Sequence, residues 1–329
     1  MDYVAICLKG LEEIAEKETK GKKILPGRIL FKKILGKISS KNEKSLKGKT
    51  KAKKNSINFG SVNIVYKLIK RFEFKEQEEI LEQFKKLKIK VKKKFRVDCH
   101  RDGTHSFKSV EIEKLIGVYL QKKNLELDFK EPETVIFIDI YENNCLIGLL
   151  EKEELQKRDY RVKLNPDTIN PCIAFSALSL IKYKKGDILV DPICRDGIIT
   201  IEAALMKKGK VFGLDKNIRN ARINSKIAKV EINLSQNEID WLDTKFKKNS
   251  CKIVSYLPSV SKRHSESDVR RLYSELFHQF NYIAKDYIGL IVRKKDLINS
   301  YLNDFKITYE TEIGIGDDKF NIVILKKNI

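Results

Sequence analysis

The sequence lacks any apolar run long enough to cross a bilayer, and it lacks paired cysteines. A membrane helix needs about 20 mostly apolar residues, and no such stretch occurs in the 329 positions. Met1-Asp2-Tyr3 does not begin the basic and then apolar order of a secretory leader. The six cysteines, Cys7, Cys99, Cys145, Cys172, Cys194 and Cys251, stand far apart and form no CxxC or Cys/His pattern. That spacing argues against zinc and against a disulfide framework, and leaves reduced, mostly buried thiols. The expectations are a cytoplasmic protein with no metal site and no membrane partner.

Positive charge, in contrast, is abundant. Lys and Arg number 67 against 45 Asp and Glu, a formal net charge of +22. Such a field attracts polyanions and speeds their encounter, so nucleic acid is the expected partner. A Lys- and Ile-rich composition set by codon usage or a warm habitat would give the same excess, so charge supports that partner without establishing it.

With 42% hydrophobic residues the chain can bury a sizeable core, and its length suits two or three domains. VAICLKGLEEIAEKET reads as a strand turning at Gly10 into an amphipathic helix, and GRILFKKI as a second strand. Between Lys41 and Lys54 seven lysines face only Glu43. Like charges at that density repel, so 39–58 is expected to be a disordered loop, either a bland insertion or a phosphate-binding arm. A helix is expected in KEQEEILEQFKKLKIKVK, then a strand in KKFRVDCHR that stops at Asp102-Gly103, then a helix capped by Ser109. TVIFIDIYENNCLIGLL gives two strands joined at Glu142-Asn143-Asn144. Beyond Asn170, helix and strand patterns alternate (CIAFSALSLIKY, DILVD, IITIEAALMKK, KVFGLD, IRNARINSKIAKV, KIVSYL), which predicts a mostly parallel, doubly wound sheet.

FRVDCHRDGTHSFKSVEIEKLIG, LELDFKEPETVIFIDIYENNCLIGLLE and KRDYRVKLNPDTINPCIAFSAL together resemble the THUMP-domain RNA methyltransferases of the tRNA guanine-N2 type. The likeness runs from about Phe95 to Phe277. Val4 to Phe74 resembles that family's ferredoxin-like N-terminal domain more loosely. The resemblance implies an α/β chain of three domains: a ferredoxin-like domain over 1–74 carrying the insertion 39–58, a THUMP α/β module over 75–163, and a Rossmann-like class I methyltransferase domain over 164–329. It also implies structured RNA, most readily tRNA, as partner. Arg101, His105, Lys108, Arg158 and Arg161 then become the candidate RNA contacts, since their donors suit phosphates and sugar hydroxyls. Without the resemblance they read as ordinary surface cations, and His105 as a structural histidine.

ILVDPICRDGIITIEAAL matches the family's strand, loop and helix that cradle S-adenosylmethionine. Asp191, Pro192, Cys194, Gly197 and Glu202 stand where that pattern has them, but Arg195 replaces the first loop glycine, Asp196 a small residue and Ile198 a threonine. Asp215 takes the place of the acid that meets the ribose hydroxyls, and Glu238 or Asp240 the place that meets the adenine amine. Acids at strand ends are common in α/β sheets, so each alone is a weak sign.

Where the family carries Asn-Pro-Pro-Tyr after the fourth strand, this chain has Tyr256, Leu257, Pro258 and Ser259. The family's Asn and first Pro carbonyl accept the hydrogens of the target amine, and its Tyr stacks on the flipped base. Here Leu257 offers a backbone carbonyl and Tyr256 a ring to stack, but no side-chain amide is left. Three readings follow. The chain is an RNA-binding relative with impaired catalysis, working beside an active methyltransferase; or an active S-adenosylmethionine-dependent tRNA guanine-N2-methyltransferase with atypical loops; or an assembly protein of a ribonucleoprotein.

Overall fold

The computed structural model describes residues 1–32, 59–236, 239–262 and 264–328. The lysine-rich tract 39–58 and Glu238 lie outside the described residues. The chain divides into two compact units. The first holds Met1–Ile6, the described parts of Thr19–Phe59, and Asn63–Glu154; the second holds Cys7–Glu18, Gly60–Val62 and Leu155–Ile329.

The first unit is built on β1 (Asp2–Cys7), β2 (Lys22–Leu25), β3 (Arg28–Lys32), β4 (Val62–Glu73), β5 (Lys94–Asp102), β6 (Glu126–Leu127), β7 (Thr134–Tyr141) and β8 (Asn144–Lys152). They form one sheet in the order β2-β3-β1-β4-β8-β7-β5-β6. The ferredoxin-like segment and the THUMP segment therefore share a sheet, joined where β4 pairs antiparallel with β8. Alternation along β7 separates the two faces. Ile136, Ile138 and Ile140 pack with Phe95, Ile112 and Ile116 on the side of α2 (Gln77–Lys85) and α3 (Ser109–Gln121), while Phe137 packs with Val4, Ile6, Tyr66 and Leu146 on the other. The helix expected over the whole of KEQEEILEQFKKLKIKVK ends at Lys85. Ser109 proves to be the first residue of α3 instead of its cap; Lys108 holds the cap position, its N–H donating to the Glu111 carboxylate at 3.3 Å.

Asp139 shares the face of Phe137 and is wholly buried, so it needs compensation. Arg28, 1% exposed, supplies it, donating from Nη2 at 2.8 Å and Nε at 3.2 Å and reaching Asp102 through Nη1 at 3.2 Å. Tyr66 Oη donates to the same carboxylate at 3.0 Å, and His100 Nδ1 lies 3.3 Å from it. β3 and β7 are separated by β1, β4 and β8 in the sheet, so this contact requires strong curling about that face.

The second unit takes α1 (Glu12–Thr19) from the N-terminal region and adds α4 (Pro171–Leu180), β9 (Ile188–Asp191), α5 (Ile198–Leu205), β10 (Lys210–Leu214), α6 (Arg219–Ala228), β11 (Asn233–Ser235), α7 (Leu242–Lys245), β12 (Cys251–Tyr256), α8 (Glu266–Ile283), β13 (Ala284–Val292), β14 (Phe305–Ile315) and β15 (Asp318–Lys327). Asn170 caps α4 by accepting from Cys172 N at 2.8 Å, and Pro171 fills the first turn, where no N–H is needed. The sheet order is β11-β10-β9-β12-β13-β15-β14. The pairs from β11 to β13 are parallel, and β15 and β14 close the far side antiparallel. This is the mostly parallel sheet that the alternating pattern predicts, with one added hairpin. Gly10 turns β1 into α1 at φ +93°, and a Cβ there would come within 2.1 Å of Glu312 O. Asp191, Asp215 and Tyr256 all sit at the carboxyl ends of the parallel strands, where open α/β sheets gather their ligands.

Among the described residues no helix is long and apolar enough to cross a membrane, and no group of three or more His, Cys, Asp or Glu is placed to hold a metal ion.

Replacing Arg28 with Met is expected to lower unfolding free energy by about 3–5 kcal/mol, because Asp139 is left buried without its cation; urea denaturation checks this. Burial pushes the Asp139 carboxyl up, but the His100 bond and the Arg28 guanidinium outweigh it and hold the group below the usual carboxylate range. The pair's contribution is therefore present above that range and lost only as pH falls through the depressed value.

Candidate functional site

The loop 192–197 carries the chain from β9 into α5. Gly197 caps that helix at φ +84°, and a Cβ on it would sit 3.1 Å from Ala221 Cβ, so the glycine matched by sequence is required by close packing of α5 on α6. Arg195, in the place of the missing glycine, also adopts a positive φ, 48°. Its N–H donates to Asp215 Oδ2 at 2.9 Å, and Asp215 Oδ1 accepts from Asn217 N at 2.9 Å, so both oxygens of the ribose-acid candidate are engaged within the protein.

The Arg195 side chain turns across the carboxyl edge of the sheet. Its guanidinium lies 4.6 Å from the centroid of the Tyr256 ring, donates to Tyr256 O, and lies 3.5 Å from Ile193 O. It thereby ties the end of β9 to the end of β12. Where the family's pattern has a glycine, this chain has an arginine whose head group is bonded to Tyr256 O.

The four positions that replace Asn-Pro-Pro-Tyr are drawn inward. Tyr256 is 4% exposed; its ring packs 6.1 Å from that of Phe320 and its hydroxyl accepts from Arg293 Nε at 3.0 Å. The ring that the resemblance would set on a base packs here on Arg195 and Phe320. Leu257 is fully buried, with its N–H on Ile291 O at 2.9 Å, and Pro258 O accepts from Tyr273 Oη at 2.7 Å. Ser259 is half-buried. Asp240 lies exposed in the turn before α7.

Cys194 is 3% exposed, and burial among Asp191 and Asp215 pushes its thiol well up, so it is no nucleophile. Asp191 is 1% exposed and accepts from Ser255 Oγ at 2.8 Å and Ile193 N at 3.2 Å. Burial outweighs these bonds and pushes its carboxyl up to about 7.

The five candidate RNA contacts divide between the units. In the first, His105 stacks on Phe74 and its Nε2 lies 2.8 Å from Glu142 O, which fixes the proton on Nε2 and leaves Nδ1 to accept from Arg101 at 3.0 Å. Both side chains brace the turn between β5 and α3, and Lys108 beside them is exposed. In the second, Arg158 points inward: its Nε bonds Glu202 at 2.9 Å and its Nη2 bonds Gly60 O at 3.0 Å, while Tyr160 Oη donates to Glu202 at 2.6 Å. Arg161 is half-buried, its N–H on Arg158 O at 3.0 Å. The Tyr of the KRDYR motif thus belongs to a clamp on α5 together with Arg158 and Glu202, a role that the acid's place in the cofactor helix could have suggested.

A raised carboxyl costs the folded state nothing at low pH and weakens it progressively as pH climbs from the ordinary carboxylate value to the folded one. Asp191→Asn keeps an acceptor for Ser255 and Ile193 and removes the charge. It is expected to raise the melting temperature at pH 8 by roughly 4 °C and by less than half as much at pH 5, as read by calorimetry.

Residues 74–150 match the THUMP domain, and residues 158–313 match the RMKL-like methyltransferase domain. A tRNA (guanine(6)-N2)-methyltransferase of Methanocaldococcus jannaschii is 26% identical, over 96% of this chain and 97% of that one. The crystal structure of TrmN from Thermus thermophilus superposes with a TM-score of 0.78 at 17% identity, over 99% of each chain. SMU.472, a putative methyltransferase complexed with SAH, gives 0.77 at 16% identity, over 100% of this chain and 98% of that one. These structures share the fold. The chain thus carries a THUMP domain followed by an RMKL-like methyltransferase domain.

Proposed function

We propose that this protein binds structured RNA, tRNA foremost, through its THUMP domain, and that its methyltransferase domain serves as a scaffold that does not transfer methyl groups from S-adenosylmethionine. The observation that carries this reading is the Arg195 guanidinium bonded to Tyr256 O and set over the Tyr256 ring. It is supported by the four positions of the amine-binding loop, where no side-chain amide remains and where Tyr256, Leu257 and Pro258 are buried. A charge of +22 and the THUMP match support the RNA half. An active methyltransferase is the natural partner for such a protein, which would hold or present the RNA.

A second reading, an active tRNA guanine-N2-methyltransferase, is favoured by the relative of that activity that aligns over nearly the whole chain. It requires Arg195 to leave Tyr256 when cofactor arrives. Calorimetric titration of the full chain with S-adenosylmethionine separates the two. No heat is expected up to millimolar cofactor, whereas stoichiometric binding would establish the second reading in place of the first. Gel-shift titration with tRNA at moderate salt is expected to show binding that weakens steeply with added salt; no complex there would favour a ribonucleoprotein assembly role instead.

A further inference from the structure

The second unit holds a cleft of about 580 Å³ that neither the THUMP match nor the cofactor loop accounts for, a volume within the usual range for small-molecule sites. It opens among α1, α4, the end of α5 and strands β13 to β15. Lys182 precedes β9, Lys208 precedes β10, and Tyr287 lies in the first half of β13. Parallel pairing aligns the starts of these strands, so the cleft lies toward their amino ends, opposite the edge that carries Asp191, Asp215 and Tyr256.

Its walls combine two kinds of group. Phe175, Tyr287 and Tyr309, all half-buried, supply aromatic surface. Lys17, Lys182 and Lys208 supply cations. Glu18 is the carboxylate among the lining residues, and its oxygens already accept from Gly60 N, Ser61 N and Ser61 Oγ. Lys17 is paired with Glu13, which also holds the Tyr309 hydroxyl. Lys208 Nζ donates to Tyr183 O at 2.9 Å, a neutral acceptor, and exposed Lys182 sits with Nζ 5.3 Å from the Tyr287 centroid. The remaining positive charge is thus borne by Lys182 and Lys208, beside an aromatic wall.

Aromatic faces with adjacent lysines recognise a base and its phosphate without a hydrogen-bond code. We infer that this cleft is a nucleotide site, taking one unpaired nucleobase on its aromatic wall with the phosphate toward Lys182 and Lys208. Its residues all belong to the second unit, so the inference stands apart from RNA gripping by the THUMP domain and from the state of the cofactor loop.

The test is anisotropy titration of the full chain with fluorescein-labelled hexauridylate in about 0.2 M salt, where nonspecific phosphate binding is largely screened. Tyr287→Leu leaves the net charge unchanged, so a loss of affinity reports the ring; about tenfold weaker binding is expected. Lys182→Glu, at an exposed position, is expected to weaken binding and flatten its salt dependence, and Tyr287→Phe to bind as the parent does. Competition with uridine monophosphate then distinguishes sources: displacement marks a site for free nucleotides, and its failure marks one for a nucleotide within a strand, both with the same chemistry. Parental affinity in Lys182→Glu, or in a Tyr287→Leu protein that melts like the parent, overturns the inference.

Discussion

A guanidinium taken out of water must find a carboxylate, a carbonyl or a ring, and much of this molecule is arranged around three that have done so. Arg28 holds Asp139 and curls the first sheet. Arg158 and Tyr160 grip Glu202 and fasten the segment leading into the second unit onto α5. Arg195 spans from β9 to β12. In a chain so rich in cations, the arginines with the strongest claim to touch RNA or cofactor act as internal struts, and exposed lysines such as Lys108 and Lys182 are left to meet anions.

That division explains where the sequence could be read and where it could not. Alternation of strand and helix patterns from Pro171 to Tyr256 foretells the parallel sheet because each strand is buried on both faces and each helix on one. Gly10 and Gly197 sit where their turns demand positive φ. A motif, however, names a side chain without its direction. KRDYR reads as an RNA grip or as ordinary surface cations, and only the position of Glu202 one helix turn into α5 makes Arg158 an internal clamp. His105 likewise reads as an RNA contact or as a structural histidine, and its ring nitrogens are spent on Glu142 and Arg101.

Two features escape a linear reading for a different reason. The hairpin β14–β15 has plain alternation and a Gly316-Asp317 turn, yet nothing local says that it extends a parallel sheet. The pairing of β4 with β8 carries one sheet across residue 74, and neither strand by itself announces it. Long-range pairing is a property of the assembled sheet and leaves no mark at either strand alone.

The same long reach bears on synthesis. Leu11 and Ile14 of the N-terminal segment are buried in the core of the second unit, and Thr311 Oγ1 donates to Gly10 O across 301 positions of chain. At about 5–20 residues per second, a ribosome needs on the order of 15–60 s to deliver that partner. For that interval the bond from Thr311 to Gly10 cannot form, so the turn into α1 is locked only once the hairpin that closes the sheet has been made.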